Sequence, residues 1–155
     1  MKKTNALRLL DRAKIPYRTL AYDSGGEAVE AQVVAQKIGM PPEQVFKTLV
    51  ALGDRNGHAV FVIPGPCNLD LRKAAKASGD KRVDLIAVRD LQPLTGYVRG
   101  GCSPIGMTKP FPAYIDESCE LFEEIAVSAG VIGMQMILEP ADLLAAADAR
   151  LANLV

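Results

Sequence analysis

The chain has 155 residues, of which 49% are apolar and 23% are charged, and its 18 basic residues balance its 18 acidic ones. This length is typical of one domain with its own core, so we treat residues 1–155 as a single domain. The zero net charge excludes a strongly basic DNA binder, and the apolar content excludes an intrinsically disordered chain. The sequence contains no run of about 18 apolar residues that would predict a membrane span. It also opens without the apolar stretch of a signal peptide, so we expect a cytoplasmic protein.

Helices and strands alternate in the first part of the chain. Thr4 can cap a first helix, and residues 17–22 are then predicted to form a short strand. Ser24 and Glu27 have the spacing of a capping box. This spacing predicts a second helix that begins there and continues to Ile38.

Two strongly apolar segments follow, at residues 45–52 and 59–63. Strands without polar alternation are typical of the centre of a sheet, so we expect both to be central. The sequence D-R-N-G between them predicts a hairpin turn. A third helix is predicted over residues 71–78, with Asn68 or Asp70 as its cap.

The second half of the chain predicts shorter elements. Residues 85–94 are expected to form a short helix or an irregular segment, and the segment after them is dense in glycine and proline. Three strands and a last helix are predicted at residues 113–115, 124–128 and 134–138 and from Pro140 to Leu151. The whole pattern indicates a mixed α+β domain, in which helices pack on a central sheet.

Lys47 is conspicuous because it interrupts an apolar strand. Strand alternation places it on one face with Val45, Leu49 and Ala51. An ammonium group is costly to bury without a partner. Its side chain therefore either reaches solvent from a strand edge or holds an anionic group of a ligand, and the residues leave both readings open. Thr48 faces the other side and is explained by its preference for strands.

The segment R-G-G-C-S-P-I-G at residues 99–106 is the second conspicuous feature. Gly100 and Gly101 permit close backbone approach and positive φ, so the loop can direct N–H groups at a carbonyl oxygen. A tight connection between elements is the alternative. Cys102 lacks an evident base, because the chain's single histidine, His58, belongs to the hairpin turn. A covalent cysteine mechanism is therefore not favoured.

The three cysteines, Cys67, Cys102 and Cys119, form no C-x-x-C motif. With one histidine in the chain, they predict neither a disulfide framework nor a zinc site. We expect no metal and no cofactor.

Basic residues concentrate in residues 71–82, which hold five of them against the single acidic residue Asp80. Arg72, Lys73 and Lys76 belong to the third predicted helix. A neutral protein can still present a basic face to a phosphate backbone. Composition alone favours an ordinary solvated helix face.

Two motifs together, V-F-K-T-L and G-Y-V-R-G-G-C-S-P-I-G, resemble the YbaK/EbsC-like family of aminoacyl-tRNA deacylases. That family is related to the editing domain of bacterial prolyl-tRNA synthetases. The resemblance extends to the opening N-A-L-R-L-L-D-R-A-K-I-P-Y and to the final D-L-L-A-A-A-D-A-R-L. It implies a compact mixed α/β fold with a barrel-like sheet and hydrolytic removal of a wrong amino acid from the 3′ end of a tRNA. The YbaK branch implies cysteine mischarged onto proline tRNA, and prolyl-tRNA synthetase as a partner.

The resemblance also implies site residues. Lys47, Gly100 and Gly101 would be catalytic: the lysine would hold the terminal adenosine or its phosphate, and the loop N–H groups would bind the ester carbonyl. The substrate's own thiol would attack that carbonyl, so no catalytic triad is needed. Substrate contacts are implied for Tyr22, Thr48, Cys102, Ser103, Pro104 and Gln135. The basic residues of the third helix, Arg72, Lys73 and Lys76, gain weight as a tRNA contact.

The chain departs from the family pattern at two loops. Cys102 stands where the family has isoleucine, and the turn at residues 129–133 reads A-G-V-I-G where a Gly-Gly-Lys-Arg-Gly sequence is usual. Gln135 stands where an acid is usual. These changes leave open a deacylase for alanine, serine or another small residue, and also a non-catalytic tRNA- or nucleotide-binding module. The intact Lys47 and glycine pair favour a deacylase.

Overall fold

A computed structural model describes residues 3–155. These residues form five α-helices of eight residues each and eight strands. The helices are α1 (Asn5–Arg12), α2 (Ala31–Ile38), α3 (Leu71–Ser78), α4 (Val88–Thr95) and α5 (Pro140–Ala147). The strands are β1 (Arg18–Ala21), β2 (Phe46–Gly53), β3 (Gly57–Pro64), β4 (Val83–Leu85), β5 (Ala113–Asp116), β6 (Ile125–Ser128), β7 (Met134–Leu138) and β8 (Ala149–Ala152). Within this described part, no helix has both the length and the apolar character needed to cross a membrane.

The strands form two sheets. The larger has the order β4-β2-β3-β5-β8, and the smaller has the order β1-β7-β6. The predicted hairpin β2–β3 lies inside the larger sheet, where β3 and β8 pair with β5 in parallel. A parallel bridge between Val45 and Ala126 connects the two sheets. The predicted mixed α+β class is confirmed, although these described strands do not close into a full barrel.

The two faces of the β2–β3 hairpin pack against different neighbours. Val50 and Val62 face the main core, which they share with α1, the smaller sheet and α5. Phe61 and Ile63 face a second cluster, formed with α3. Because side chains alternate along a strand, Lys47 lies on the α3 side of the larger sheet.

The predicted caps of α1 and α3 are confirmed. The Thr4 side chain accepts a hydrogen bond from the Leu7 N–H at 3.2 Å. Asp70 accepts from the N–H groups of Arg72 and Lys73 at 3.0 and 3.1 Å. These bonds satisfy N–H groups that the first turn of a helix leaves without intrahelical acceptors.

The predicted start of the second helix is wrong. Ser24 caps no helix, because its hydroxyl accepts the N–H of Gly26 at 3.1 Å and closes a turn. The chain becomes helical at Ala31, after Glu30, whose side chain forms no capping hydrogen bond. A side chain that bonds two residues ahead competes with helix formation.

The predicted last helix ends earlier than expected. Asp148 takes the left-handed conformation with φ 48° and ends α5 at Ala147. Leu151, predicted on the apolar face of this helix, belongs instead to β8, opposite Ile115. The partner of this strand is distant in sequence, so no local pattern indicates the pairing.

Candidate active site

A cleft of about 680 Å³ lies beside the first residues of β2. Its walls come from β2, from the segment before α2, from the turn after β3, from the loop at residues 99–102 and from the paired strands β6 and β7. Six predicted site residues line it: Tyr22, Lys47, Thr48, Gly100, Cys102 and Gln135. The fold thus brings together residues that are distant in sequence.

Lys47 enters the cleft half-buried, opposite Ile63 on the neighbouring strand. Burial lowers the pKa of its ammonium group, and the charges of Cys67 and Glu30 oppose this effect. No hydrogen bond or ion pair joins its Nζ to another residue within 3–155. A partly desolvated cation without a protein partner favours the binding of an anion.

Two polar residues that line the cleft also carry a buried atom without a protein partner in the described part of the chain. Gln135 is 5% exposed and its Oε1 accepts no hydrogen bond. The buried Oγ1 of Thr48 is unpaired as well. An unsatisfied buried polar group costs about 1–3 kcal/mol, so such groups normally have partners. Both atoms are therefore suited to contact a bound ligand.

The glycine loop reaches the cleft between two other segments. Gly100 has φ 82°, and a Cβ built on it would lie 2.9 Å from the Cβ of Ala28. A Cβ on Gly101 would lie 2.9 Å from the main-chain nitrogen of Ile132. Neither position has room for a side chain, so both glycines are required for this packing.

The N–H groups of this loop differ in their hydrogen bonds, and the catalytic role of Gly101 stays a prediction. Its N–H donates to the Val98 carbonyl at 3.0 Å, and Gly101 is not on the cleft wall. Gly100 and Cys102 do line the cleft, and neither N–H finds an acceptor among residues 3–155. These two groups, and not that of Gly101, are free to bind an oxyanion.

Ser103 and Pro104 are buried behind the loop and do not line the cleft, and their contact with substrate stays a prediction. The Ser103 hydroxyl accepts from the Ile105 N–H at 3.3 Å. The buried Tyr97 hydroxyl donates to the Ile105 carbonyl at 2.6 Å. These bonds fix the shape of the loop from its inner side.

Cys102 has the environment of a packed thiol. It is 6% exposed, and burial raises the pKa of its thiol to about 12. A thiol with this pKa is protonated at neutral pH and is a weak nucleophile. His58 lies outside the cleft, in edge contact with Phe111 at a ring-centroid distance of 5.8 Å. The cleft therefore does not offer Cys102 an imidazole base.

The basic residues of α3 lie outside the cleft. The Lys73 ammonium donates to the carbonyl oxygen of Val155, and Arg72 borders a separate groove. Lys76 is exposed on the same helix. Their contact with tRNA stays a prediction.

Five polar lining residues escaped prediction: Glu30, Gln32, Asn68, Arg99 and Ser128. Glu30 and Arg99 are exposed at the cleft, whereas Ser128 is 8% exposed and lies opposite Gln135 in the β6–β7 pair. The position of Arg99 directly before the glycine pair was the available signal. No sequence signal indicated Glu30, because it lies in an irregular segment.

Known proteins resemble the chain over almost its full length. It is 43% identical over 153 residues to a candidate Cys-tRNA(Pro)/Cys-tRNA(Cys) deacylase, EbsC, of Enterococcus faecalis, with 99% of this chain and 93% of that protein covered. It is 27% identical over 151 residues to the multifunctional Ser/Thr-tRNA deacylase ProXp-y of Escherichia coli, with 95% and 89% covered. The 43% identity to EbsC is high enough to show that the two proteins belong to one family.

The fold and the family model agree with this likeness. A crystal structure of a candidate trans-editing enzyme for prolyl-tRNA synthetase superposes with a TM-score of 0.83 at 26% identity, over 99% of this chain and 98% of the other. The model of the aminoacyl-tRNA editing domain matches residues 26–146, which include Lys47, the glycine loop and Gln135. On this evidence of sequence, fold and site, the chain belongs to the aminoacyl-tRNA editing domain family.

Proposed function

We propose that this aminoacyl-tRNA deacylase acts in trans and removes cysteine from mischarged proline tRNA. The observation that carries the proposal is the unpaired ammonium group of Lys47 in a cleft with the unpaired atoms Thr48 Oγ1 and Gln135 Oε1. The resemblance to EbsC, whose name specifies cysteine, supports the choice of amino acid.

In this proposal the two cations of the cleft bind the 3′ end of the tRNA. Lys47 holds the phosphate or the adenosine of the terminal nucleotide, and Arg99 lies at the same cleft as a second cation. The N–H groups of Gly100 and Cys102 face the ester carbonyl. Donors placed before the reaction stabilise the negative charge that develops on this oxygen.

The substrate supplies its own nucleophile. The cysteine sulfur bonds to the carbonyl carbon, and the bond from this carbon to the ribose oxygen breaks through a tetrahedral oxyanion. The thiol proton passes to the ribose oxygen by way of solvent, and the amino acid leaves as a thiolactone that water opens to cysteine. The raised pKa of Cys102 supports a route without a protein nucleophile.

Removal of serine or threonine is the second candidate function. The unpaired atoms of Thr48 and Gln135 fit a hydroxyl as well as a thiol. The resemblance to a deacylase named for serine and threonine supports this reading. Water would then attack the ester, because an unactivated hydroxyl is a weaker nucleophile than a thiol. Alanine, the other small residue considered, offers no polar side-chain atom to this wall.

Prolyl-tRNA synthetase is the proposed partner. A chain with zero net charge gains little general attraction to tRNA, so a partner that holds the tRNA would help. The similar structure described as a trans-editing enzyme for this synthetase supports the pairing.

The test is a deacylation time course on cysteinyl-, seryl- and alanyl-tRNA(Pro). Lys47→Ala is expected to slow cysteine release on the order of 100-fold. Lys109→Ala, which removes an exposed lysine away from the cleft, is the matched control and keeps the wild-type rate. Faster release of serine than of cysteine would establish the second candidate. Binding of charged tRNA without release of any of the three would instead indicate a non-catalytic module.

A further inference from the structure

We propose that Glu30 binds the α-ammonium group of the aminoacyl ester. The cleft would then accept a tRNA that carries a free amino acid and reject one whose amine is acylated, such as peptidyl-tRNA. The inference rests on the proposed function, because it places an aminoacyl ester in the cleft.

The charges of the cleft match those of such a substrate. Among the described lining residues, Glu30 is the one carboxylate, and Lys47 and Arg99 are the two cations. The 3′ end of an aminoacyl-tRNA brings negative phosphates and a single positive group, the α-ammonium. Complementary charges give orientation and select between partners.

Glu30 is not committed to another contact in the described chain. It occupies the position before α2 without capping the helix, and its carboxylate forms no ion pair or hydrogen bond with residues 3–155. Its charge nevertheless acts on Lys47, whose pKa it raises against the effect of burial. Glu30 and Lys47 also line the same cleft, so one ligand that occupies the cleft can contact both.

Close backbone packing fixes where Glu30 lies. The next residue, Ala31, approaches Gly65 so closely that a Cβ on this glycine would overlap the Ala31 side chain. The Gly65 N–H donates to the Val45 carbonyl at 2.8 Å, which holds the turn after β3 against the start of β2. Glu30 is thus held beside the residues that precede Lys47.

Gln135 provides a second observation, because its amide oxygen has two lone pairs and can accept from the α-ammonium group as well as from the substrate side chain. It is 5% exposed, lines the same cleft, and its Oε1 has no donor in the described chain. An ammonium group has three N–H donors and no acceptor, so it suits an unpaired amide oxygen as well as a carboxylate. An acylated amine keeps one donor at most and no charge, and it loses the charge-assisted hydrogen bond.

The first test measures binding, so that it does not depend on turnover. Two non-hydrolysable adenosine analogues carry an amide-linked 3′ acyl group, one with an α-amine and one with an α-hydroxyl. We expect wild type to bind the amine analogue roughly 10-fold more tightly, and Glu30→Gln to abolish this preference. Glu27→Gln, in the exposed turn outside the cleft, is the matched control and keeps it. The wild-type preference should also decline as the pH rises through the pKa of the amine, near 8.

The second test measures release from cysteinyl-tRNA(Pro) and from its N-acetyl derivative. Glu30→Gln should raise KM for the free-amine substrate and leave the slow reaction of the acetylated one unchanged. An equal loss on both substrates, or equal binding of both analogues to wild type, would overturn the inference. An amine preference that depends on Glu30 in a protein that releases no amino acid would instead overturn the proposed function alone.

Discussion

Polar groups lie at both ends of strand β2, and the two ends differ in whether the protein supplies their hydrogen-bond partners. At the first end, Lys47 and Thr48 line the cleft, and neither side chain has a hydrogen-bond partner in the described chain. At the other end, Gly53 lies so close to the carboxylate of Asp80 that a Cβ on the glycine would overlap it. Both ends carry polar groups that are largely removed from water, yet the chain satisfies them at one end alone.

Asp80 is a buried polar group whose carboxylate has hydrogen-bond partners. It is 9% exposed, and its Oδ1 accepts the N–H groups of Arg55 and Asn56 at 2.9 and 2.7 Å. The Ser78 hydroxyl donates to Oδ2 at 2.5 Å. These bonds hold the hairpin turn, and the hydrogen bond from Ser78 first, then those from the backbone, lower the pKa of the carboxyl group. Paired polar groups stabilise a fold, whereas unpaired ones are a reason to look for a ligand.

The largest expected effect comes from Lys47→Met, which tests the end of β2 where the polar groups have no partners in the described chain. Deacylation kcat/KM should fall on the order of 100-fold, because the variant loses the cation that is proposed to hold the tRNA end. The free energy of unfolding should stay the same or rise, because the variant removes a partly desolvated charge without a partner. Urea unfolding and kinetics measured on the same samples give both quantities. A marked loss of stability would mean that Lys47 has a structural role.

Asp80→Ala tests the end of β2 where the polar group has hydrogen-bond partners. It should lower the stability of the protein and leave its activity unchanged. The free energy of unfolding should fall by about 2 kcal/mol, because the variant leaves two main-chain N–H groups without acceptors. Deacylation by the folded protein should stay at the wild-type rate. Asp84→Ala is the control, since this exposed carboxylate forms a surface ion pair with Arg82 at 3.1 Å and should cost less than about 1 kcal/mol. A loss of activity at full occupancy of the folded state would contradict the contrast between the two ends.

The fold was predictable where local patterns decide it. Alternation along β2 placed Lys47 correctly, and the caps Thr4 and Asp70 follow from their preference for the start of a helix. Prediction failed where a distant partner decides. Leu151 has helical spacing, yet it pairs with β5, which is remote in sequence.

The site was predictable in part for the same reason. Lys47 and the pair Gly100-Gly101 stand out in the sequence, because a charge in an apolar strand and adjacent glycines are locally unusual. Glu30 joins the site through the close approach of Ala31 to a turn after β3, which no spacing reveals. The Gly101 N–H forms a hydrogen bond within its own turn. This bond depends on backbone geometry, which residue types do not specify.

Acid should reduce the stability that Asp80 contributes at its end of β2 before it unfolds the protein. The folded-state pKa of Asp80 lies below its ordinary value near 3.9, so its carboxylate contributes stability above that value. This contribution is lost as the pH falls through the lower, folded-state pKa. Urea unfolding between about pH 6 and about pH 3 should show a shallower loss of stability in Asp80→Asn than in wild type. Equal slopes would mean that Asp80 is no better satisfied in the folded chain than in the unfolded one.

The smallest expected effect compares two unpaired hydroxyls. Thr48 Oγ1 and Ser118 Oγ are both buried without partners in the described chain, but only Thr48 lines the cleft. Thr48→Val and Ser118→Ala should each change the free energy of unfolding by less than about 1 kcal/mol, because no protein hydrogen bond is lost. Thr48→Val alone should raise KM, by roughly 5-fold, if its hydroxyl bonds the substrate. If both variants keep the wild-type KM, an unpaired hydroxyl does not by itself mark a ligand contact, and the contrast between the ends of β2 would depend on Lys47 alone.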